Sequence, residues 1–253
     1  MSRDLSFQFS NCSKGIIFGG ARGIGLGFIK YLTKEFPHLE LHVTTRKKTT
    51  ELNQIQQLQG SNVTVHRLDP SNEDEIEKLS KSFENKSVDF IINCIGLLHD
   101  EEIEPEKSLR SIDFEKMQKS FSINASITPM VAKHFDSKLS KTLSLFTTIS
   151  AKVGSIEDNR MGGWYSYRAS KAALNMFLKC ISIEFDRKKK NCIVLSLHPG
   201  TTITELSKPF IQKTHYQLHQ PEATAENLIK VIQGKSMADN GKFFAWSGEE
   251  LPW

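Results

Sequence analysis

Short apolar runs recur along this chain, and between them apolar residues return every third or fourth position. The runs are Gly15 to Phe18, Leu39 to Thr45, Asn62 to Leu68, Val88 to Cys94, Leu143 to Ile149, Cys192 to Leu197 and Lys242 to Trp246. Runs of this length, rich in β-branched and aromatic residues and bounded by glycine, proline or charge, predict buried strands. The stretches between them predict helices: one ending near Phe36, one capped by Ser71 or Asn72, and one from about Asp113 to Lys138, kinked at Pro129. Two more surround Tyr167 and span about 222–233. Strand and helix alternating in this way predict a single-domain α/β fold: a doubly wound parallel sheet of about seven strands flanked by helices. Residues 1–13 read as a polar N-terminal extension of uncertain order, and 14–253 as the domain.

Composition narrows the partners. The 253 residues carry a formal charge of +4 with both signs mixed, and no Gly/Ser tract, Pro-rich tract or fixed repeat marks a linker. The dense basic run, Arg187 with Lys188-Lys189-Lys190, falls between a helix and a strand, where cations suit a helix C-terminus. It reads as a solvated end, and no nucleic-acid partner is expected. No stretch approaches the roughly 20 apolar residues of a membrane span, and Met1 to Leu5 lacks an apolar leader. Cys12, Cys94, Cys180 and Cys192 show no Cys-x-x-Cys spacing, so reduced, mostly buried thiols in a cytoplasmic protein are expected, with no metal site.

The first run leads directly into Gly19-Gly20-Ala21-Arg22-Gly23-Ile24-Gly25 and then a helix. Glycines allow a sharp turn and a close backbone approach to a pyrophosphate, and the helix N-terminus offers unpaired N–H groups to the anion, as in a Rossmann-like dinucleotide fold. The second strand ends at Thr44-Thr45-Arg46, about twenty residues on, with no acid to take a free ribose 2′-hydroxyl. A guanidinium there suits the 2′-phosphate of NADP(H), which is the cofactor expected in preference to NAD(H). Arg22 can approach the same phosphate from the glycine loop, whereas Lys47 and Lys48 read as loop solvation.

In Tyr165-Ser166-Tyr167-Arg168-Ala169-Ser170-Lys171, residues four apart share a helix face, so Tyr167 and Lys171 can reach one cavity. Tyr165, six residues before Lys171, lies about 120° around the helix. A free tyrosine has a pKa of about 10, and a nearby cation favours the phenolate, so Lys171 is expected to lower it and make Tyr167 a usable acid and base.

In this order and spacing the motifs resemble the short-chain dehydrogenase/reductase family over nearly the whole chain. Gly19, Gly23 and Gly25, with Ile24 between, fit its cofactor loop; Asp69 fits its adenine-contacting Asp; Asn93 and Gly96 fit its Asn-Asn-Ala-Gly motif. Asn124, Ser150, Tyr167 and Lys171 fit its catalytic set, and Pro199, Gly200 and Thr204 the motif that touches the nicotinamide. Gly162 to Tyr167 and the ending Gly241 to Trp253 are similar to the C-factor and sniffer-type carbonyl-reductase branch. Cys94-Ile95 and Pro70 depart from the pattern, and Pro70 removes one N–H from the adenine side. The resemblance implies an NADP(H)-dependent enzyme that reduces a small-molecule ketone or aldehyde to an alcohol, or the reverse. It also implies a homodimer or homotetramer and a small substrate segment at about 201–220. Lys208, Gln212, Lys213, His215 and His219 make that segment polar, which suggests an open, unselective cleft. The C-factor likeness leaves a second reading, a nucleotide-binding regulatory protein with little turnover.

Overall fold

The computed structural model describes residues 5–46, 55, 62–211 and 217–253. Each apolar run becomes a strand: β1 (Lys14–Phe18), β2 (Glu40–Thr45), β3 (Val63–Arg67), β4 (Phe90–Asn93), β5 (Ser144–Ile149) and β6 (Cys192–His198). Two short strands, β7 (Thr201–Thr202) and β8 (Leu218–His219), pair with each other, and β9 (Lys242–Ala245) completes the main sheet. All neighbours in that seven-stranded sheet are parallel, in the order β3-β2-β1-β4-β5-β6-β9. β4 and β5 are buried along their whole length, which is why they read as continuous apolar runs with no polar alternation. The order reverses between β1 and β4, so a crevice opens at their C-terminal ends.

Helices α1 (Gly23–Glu35) and α6 (Pro221–Gln233) cover one face of the sheet. They approach so closely that a Cβ on Gly27 would lie 2.4 Å from the Pro221 carbonyl oxygen. The other face carries α2 (Glu73–Lys81), α3 (Phe114–Phe121), α4 (Ile127–Phe135) and α5 (Tyr165–Arg187). Asn72 caps α2 by accepting from the Asp74 N–H, and Asp113 caps α3 by accepting from Lys116.

Three expectations change. The N-terminal extension is not a polar appendage: Phe7 and Phe9 are buried, Phe9 packs edge-on to Phe90 at 5.1 Å, and the Phe7 N–H donates to the Lys235 carbonyl. Burying two phenylalanines contributes about 1.5–3 kcal/mol each, enough to hold the segment against the domain. The irregularity in the long helix is a π-helical turn at Ser122–Ser126, preceding Pro129, whose missing N–H α4 accommodates in its first turn. The basic run is tied down as well as solvated, since Lys188 and Lys190 both pair with Asp136. Among the cysteines Cys12 and Cys192 are buried, whereas Cys180 is exposed. Lys47, Lys48, Gln212, Lys213 and His215 lie outside the described residues. No helix among the described residues is long and apolar enough to cross a membrane.

At the far edge of the sheet His42 and His66 stack, His42 Nδ1 lying 2.8 Å from His66 Nε2, with Phe83 against both rings. Burial holds both imidazoles below their ordinary pKa, and burial brings His198, at the end of β6, down to about 4. Groups with a depressed folded-state pKa take up fewer protons than in the unfolded chain, so their stabilisation is present at pH 7.5 and declines below about 6.5. The melting temperature is therefore expected to fall between pH 7.5 and 5.0, before most carboxylates titrate. A flat melting series over that interval would remove the assignment.

Candidate active site

The glycine turn after β1 is built to admit backbone and little else. Gly19 has φ +73°, its N–H donates to Thr44 Oγ1 at 3.1 Å, and a Cβ there would meet Ile95 at 3.1 Å. Gly25 stands against the preceding turn, where a Cβ would lie 2.4 Å from the Gly19 carbonyl oxygen. Gly23, φ +52°, opens α1, and Thr204 closes over it, 3.3 Å from where its Cβ would be. Ile24 packs against the core behind the turn. Arg22 occupies the cap position without a capping side-chain bond, and the first turn of α1 holds no acid. That leaves an electropositive helix end suited to a phosphate. Arg22 and Arg46 are both exposed at this corner. Burial pushes the Asp69 carboxyl up, but hydrogen bonds from Ser71 and the Arg46 charge outweigh it and hold the group below its ordinary value. Asn93 is committed to the protein, donating to Thr128 Oγ1 and accepting from the Ile95 N–H, so it shapes the strand end.

β5 delivers Ser150 and α5 delivers Tyr167 and Lys171 to the same crevice. Lys171 is 3% exposed; its ammonium donates to the Ile149 carbonyl at 3.0 Å and stands 5.9 Å from the centre of the Tyr167 ring. A Cβ on Gly96 would be 3.5 Å from Lys171 Nζ and 3.7 Å from Asn124 Oδ1, so these three gather around one point. Asn124 clamps the backbone of Leu97 from both sides, Oδ1 accepting from its N–H at 2.7 Å and Nδ2 donating to its carbonyl at 2.8 Å. Its side chain therefore fixes the loop after β4 and makes no bond to Lys171. The expected lowering of the tyrosine pKa does not appear: burial pushes the Tyr167 hydroxyl up, and burial brings Lys171 down to about 8. Burial favours the neutral form of both groups, Lys171 being buried and Tyr167 half-buried. Pro199 and Gly200 follow β6, with Gly200 at φ +72° and a Cβ there blocked by Trp246 at 2.7 Å.

A family model described as short chain dehydrogenase matches residues 15–215. The chain belongs to that family. It is 30% identical over 199 residues to a 1-hydroxy-2-glutathionyl-2-methyl-3-butene dehydrogenase from a Rhodococcus species, covering 78% of this chain and 83% of that one. C-signal from Myxococcus xanthus is 31% identical over 147 residues, 58% of this chain and 84% of that protein, which agrees with the finer C-factor likeness. Among solved structures, the NADPH-bound carbonyl reductase from chicken fatty liver superposes with a TM-score of 0.85 at 23% identity, covering 96% of this chain and 99% of that one. The chain is thus a short-chain dehydrogenase/reductase enzyme.

Several residues that shape this dehydrogenase's site escape the sequence reading. Glu106, in the acidic connection after β4, accepts from the N–H and the hydroxyl of Ser166 and so caps α5 from a distance. The Trp253 carbonyl accepts from Ser155 Oγ and from the Ile156 and Glu157 N–H groups, pinning the loop after Ser150. Phe210 meets Trp164 at 5.3 Å and His99 at 5.5 Å, and Trp164 meets Tyr167 at 6.2 Å, forming an aromatic wall beside the tyrosine. His219 lies buried against Trp246 rather than lining the segment. The one sequence signal that could have found any of these contacts is the spacing of Trp164, three residues before Tyr167 at the start of α5.

Proposed function

We propose that this dehydrogenase is an NADP(H)-dependent carbonyl reductase that interconverts a ketone or aldehyde with its alcohol through Ser150, Tyr167 and Lys171. The observation that carries the reading is the buried Lys171 ammonium, 5.9 Å from the centre of the Tyr167 ring and bonded to the carbonyl of Ile149, the residue before Ser150. The cradle fits a dinucleotide: Gly19, Gly23 and Gly25 would admit the pyrophosphate, Arg22 and Arg46 a 2′-phosphate, and Asp69 the adenine side. Gly96, Pro199, Gly200 and Thr204 would flank the nicotinamide half. The NADPH held by the chicken reductase supports the same choice. When bound, the nicotinamide supplies or accepts the hydride. Tyr167, kept protonated by burial, delivers its proton to the carbonyl oxygen as that oxygen gains charge. Ser150 donates to the same oxygen, and an oxyanion donor is strongest in a site that excludes water. Lys171 would hold the nicotinamide ribose and favour the phenolate once the proton has left. Asn124 holds the Leu97 turn against which Lys171 packs.

The likeness to C-signal favours one further reading, a nucleotide-binding regulatory role. Tight NADPH binding without turnover on any aldehyde, ketone or diketone would put that reading ahead. A homodimer or homotetramer is proposed because Leu109, Phe114, Met176 and Ile183 stay exposed on or beside α3 and α5. Static light scattering at micromolar concentration is expected to give at least twice the chain mass, and a strict monomer would defeat the proposal.

Tyr167→Phe keeps the ring and its packing and loses only the proton donor. It is expected to lower kcat by at least about 10²–10⁴-fold, the usual weight of general acid catalysis, while NADPH binding by fluorescence stays intact. Full reductase activity in that variant would make the mechanism wrong. Arg46→Asp is expected to raise the NADPH dissociation constant roughly 10- to 100-fold, the range for a lost charge-assisted hydrogen bond, with a much smaller change for NADH. Equal weakening of both cofactors would show that Arg46 does not read the 2′-phosphate.

A further inference from the structure

One turn beyond Lys171 on α5 stands Asn175, which none of these steps uses. Tyr167, Lys171 and Asn175 are spaced by four and form one stripe facing the ends of β5 and β6. Lys171 reads the carbonyl of Ile149. Asn175 reads the next residue: its Oδ1 accepts from Ser150 Oγ at 2.7 Å and from Ser196 Oγ at 2.8 Å. Asn175 is 3% exposed, and its Nδ2 is buried with no hydrogen-bond partner among the described residues.

Two features of this arrangement conflict with the chemistry around it. Buried amide N–H groups are almost always paired, and here two are not. Ser150 has one O–H proton, and while that proton points at Asn175 it cannot serve a substrate oxygen. A half-turn of the Asn175 amide removes both conflicts. Nδ2 then gives one N–H to each serine oxygen, and both serine protons are released from the amide, that of Ser150 toward the cleft and that of Ser196 to an acceptor other than Asn175. The oxygen left behind is a buried acceptor, which proteins leave unpaired more readily than a buried N–H.

We propose that Asn175 is a positioning residue that sets the direction of the Ser150 proton. With its oxygen toward the serines the proton is held away from substrate; with its nitrogen toward them Ser150 becomes the oxyanion donor. This rests on the assignment of Ser150 as that donor. Ser196, buried on the neighbouring strand β6 in register with Thr148, bonds the same amide and turns its proton with it.

Asn175→Asp tests it, because a carboxylate of the same shape accepts from both serines and gives neither an N–H. With the best carbonyl substrate of the panel, it is expected to lower kcat about 10²–10³-fold, as for loss of an oxyanion donor, with KM and the NADPH dissociation constant changed less than about threefold. In a Ser150→Ala background the same substitution is expected to cost less than about threefold, since residues acting through one another are non-additive. Losses that multiply in the double variant, or a wild-type kcat in Asn175→Asp while Ser150→Ala is impaired, would overturn the role of Asn175 alone. A wild-type kcat in Ser150→Ala would instead overturn the assignment of Ser150, and this proposal with it. Should Asn175→Asp fail to melt cooperatively, Asn175→Ala takes its place in the same cycle, with the same non-additivity expected.

Discussion

A lysine ammonium held almost entirely out of water is the constraint on which the candidate site depends. Lys171 can occupy that place because the turn after Ser150 has no side chain there: a Cβ on Gly154 would lie 2.7 Å from the Lys171 Cβ. The ammonium is met by a backbone carbonyl, a dipole weaker than a carboxylate, so burial brings the group to about 8. The same burial keeps the proton on Tyr167. The pocket therefore rests with an acid that holds its proton and a base that holds its charge weakly. A bound ligand that brings oxygen atoms and charge to Lys171 would strengthen that charge and, through it, ease the departure of the tyrosine proton.

Most strands were legible because buried parallel strands are largely apolar, β3 at the sheet edge because it is rich in β-branched residues, and all seven runs of the main sheet could be placed within a few residues. The site was legible wherever it is local: a glycine turn between strand and helix, a Tyr–Lys pair four apart, polar residues at strand ends. What was hidden is what depends on contacts between distant residues. Nothing local sets Glu106 apart from Glu101, Glu102 and Glu104, and only the fold brings it to Ser166, sixty positions on. Phe7 and Phe9 were masked by polar neighbours. The direction of the Tyr167 shift was misjudged for a related reason: a spacing shows that a cation is near, but not how little water is left around both groups.

The N-terminus of α5 shows how the distant contacts and the local geometry depend on one another. Gly162, Gly163 and Trp164 run in succession through positive φ, at 62°, 64° and 50°. Glycine adopts that region freely, but a tryptophan there costs on the order of 1–2 kcal/mol. Trp164 also leaves the helix without a side-chain cap. Glu106 supplies both missing elements, its carbonyl accepting the Trp164 N–H and its carboxylate capping Ser166. The strained backbone in turn aims the indole at Tyr167 on one side and Phe210 on the other. Two aromatic contacts of about 0.5–1.5 kcal/mol each are of the size needed to offset the strain. The aromatic wall, the cap of α5 and the acidic connection after β4 are therefore joined through Glu106 and Trp164, three residues before Tyr167 on the chain.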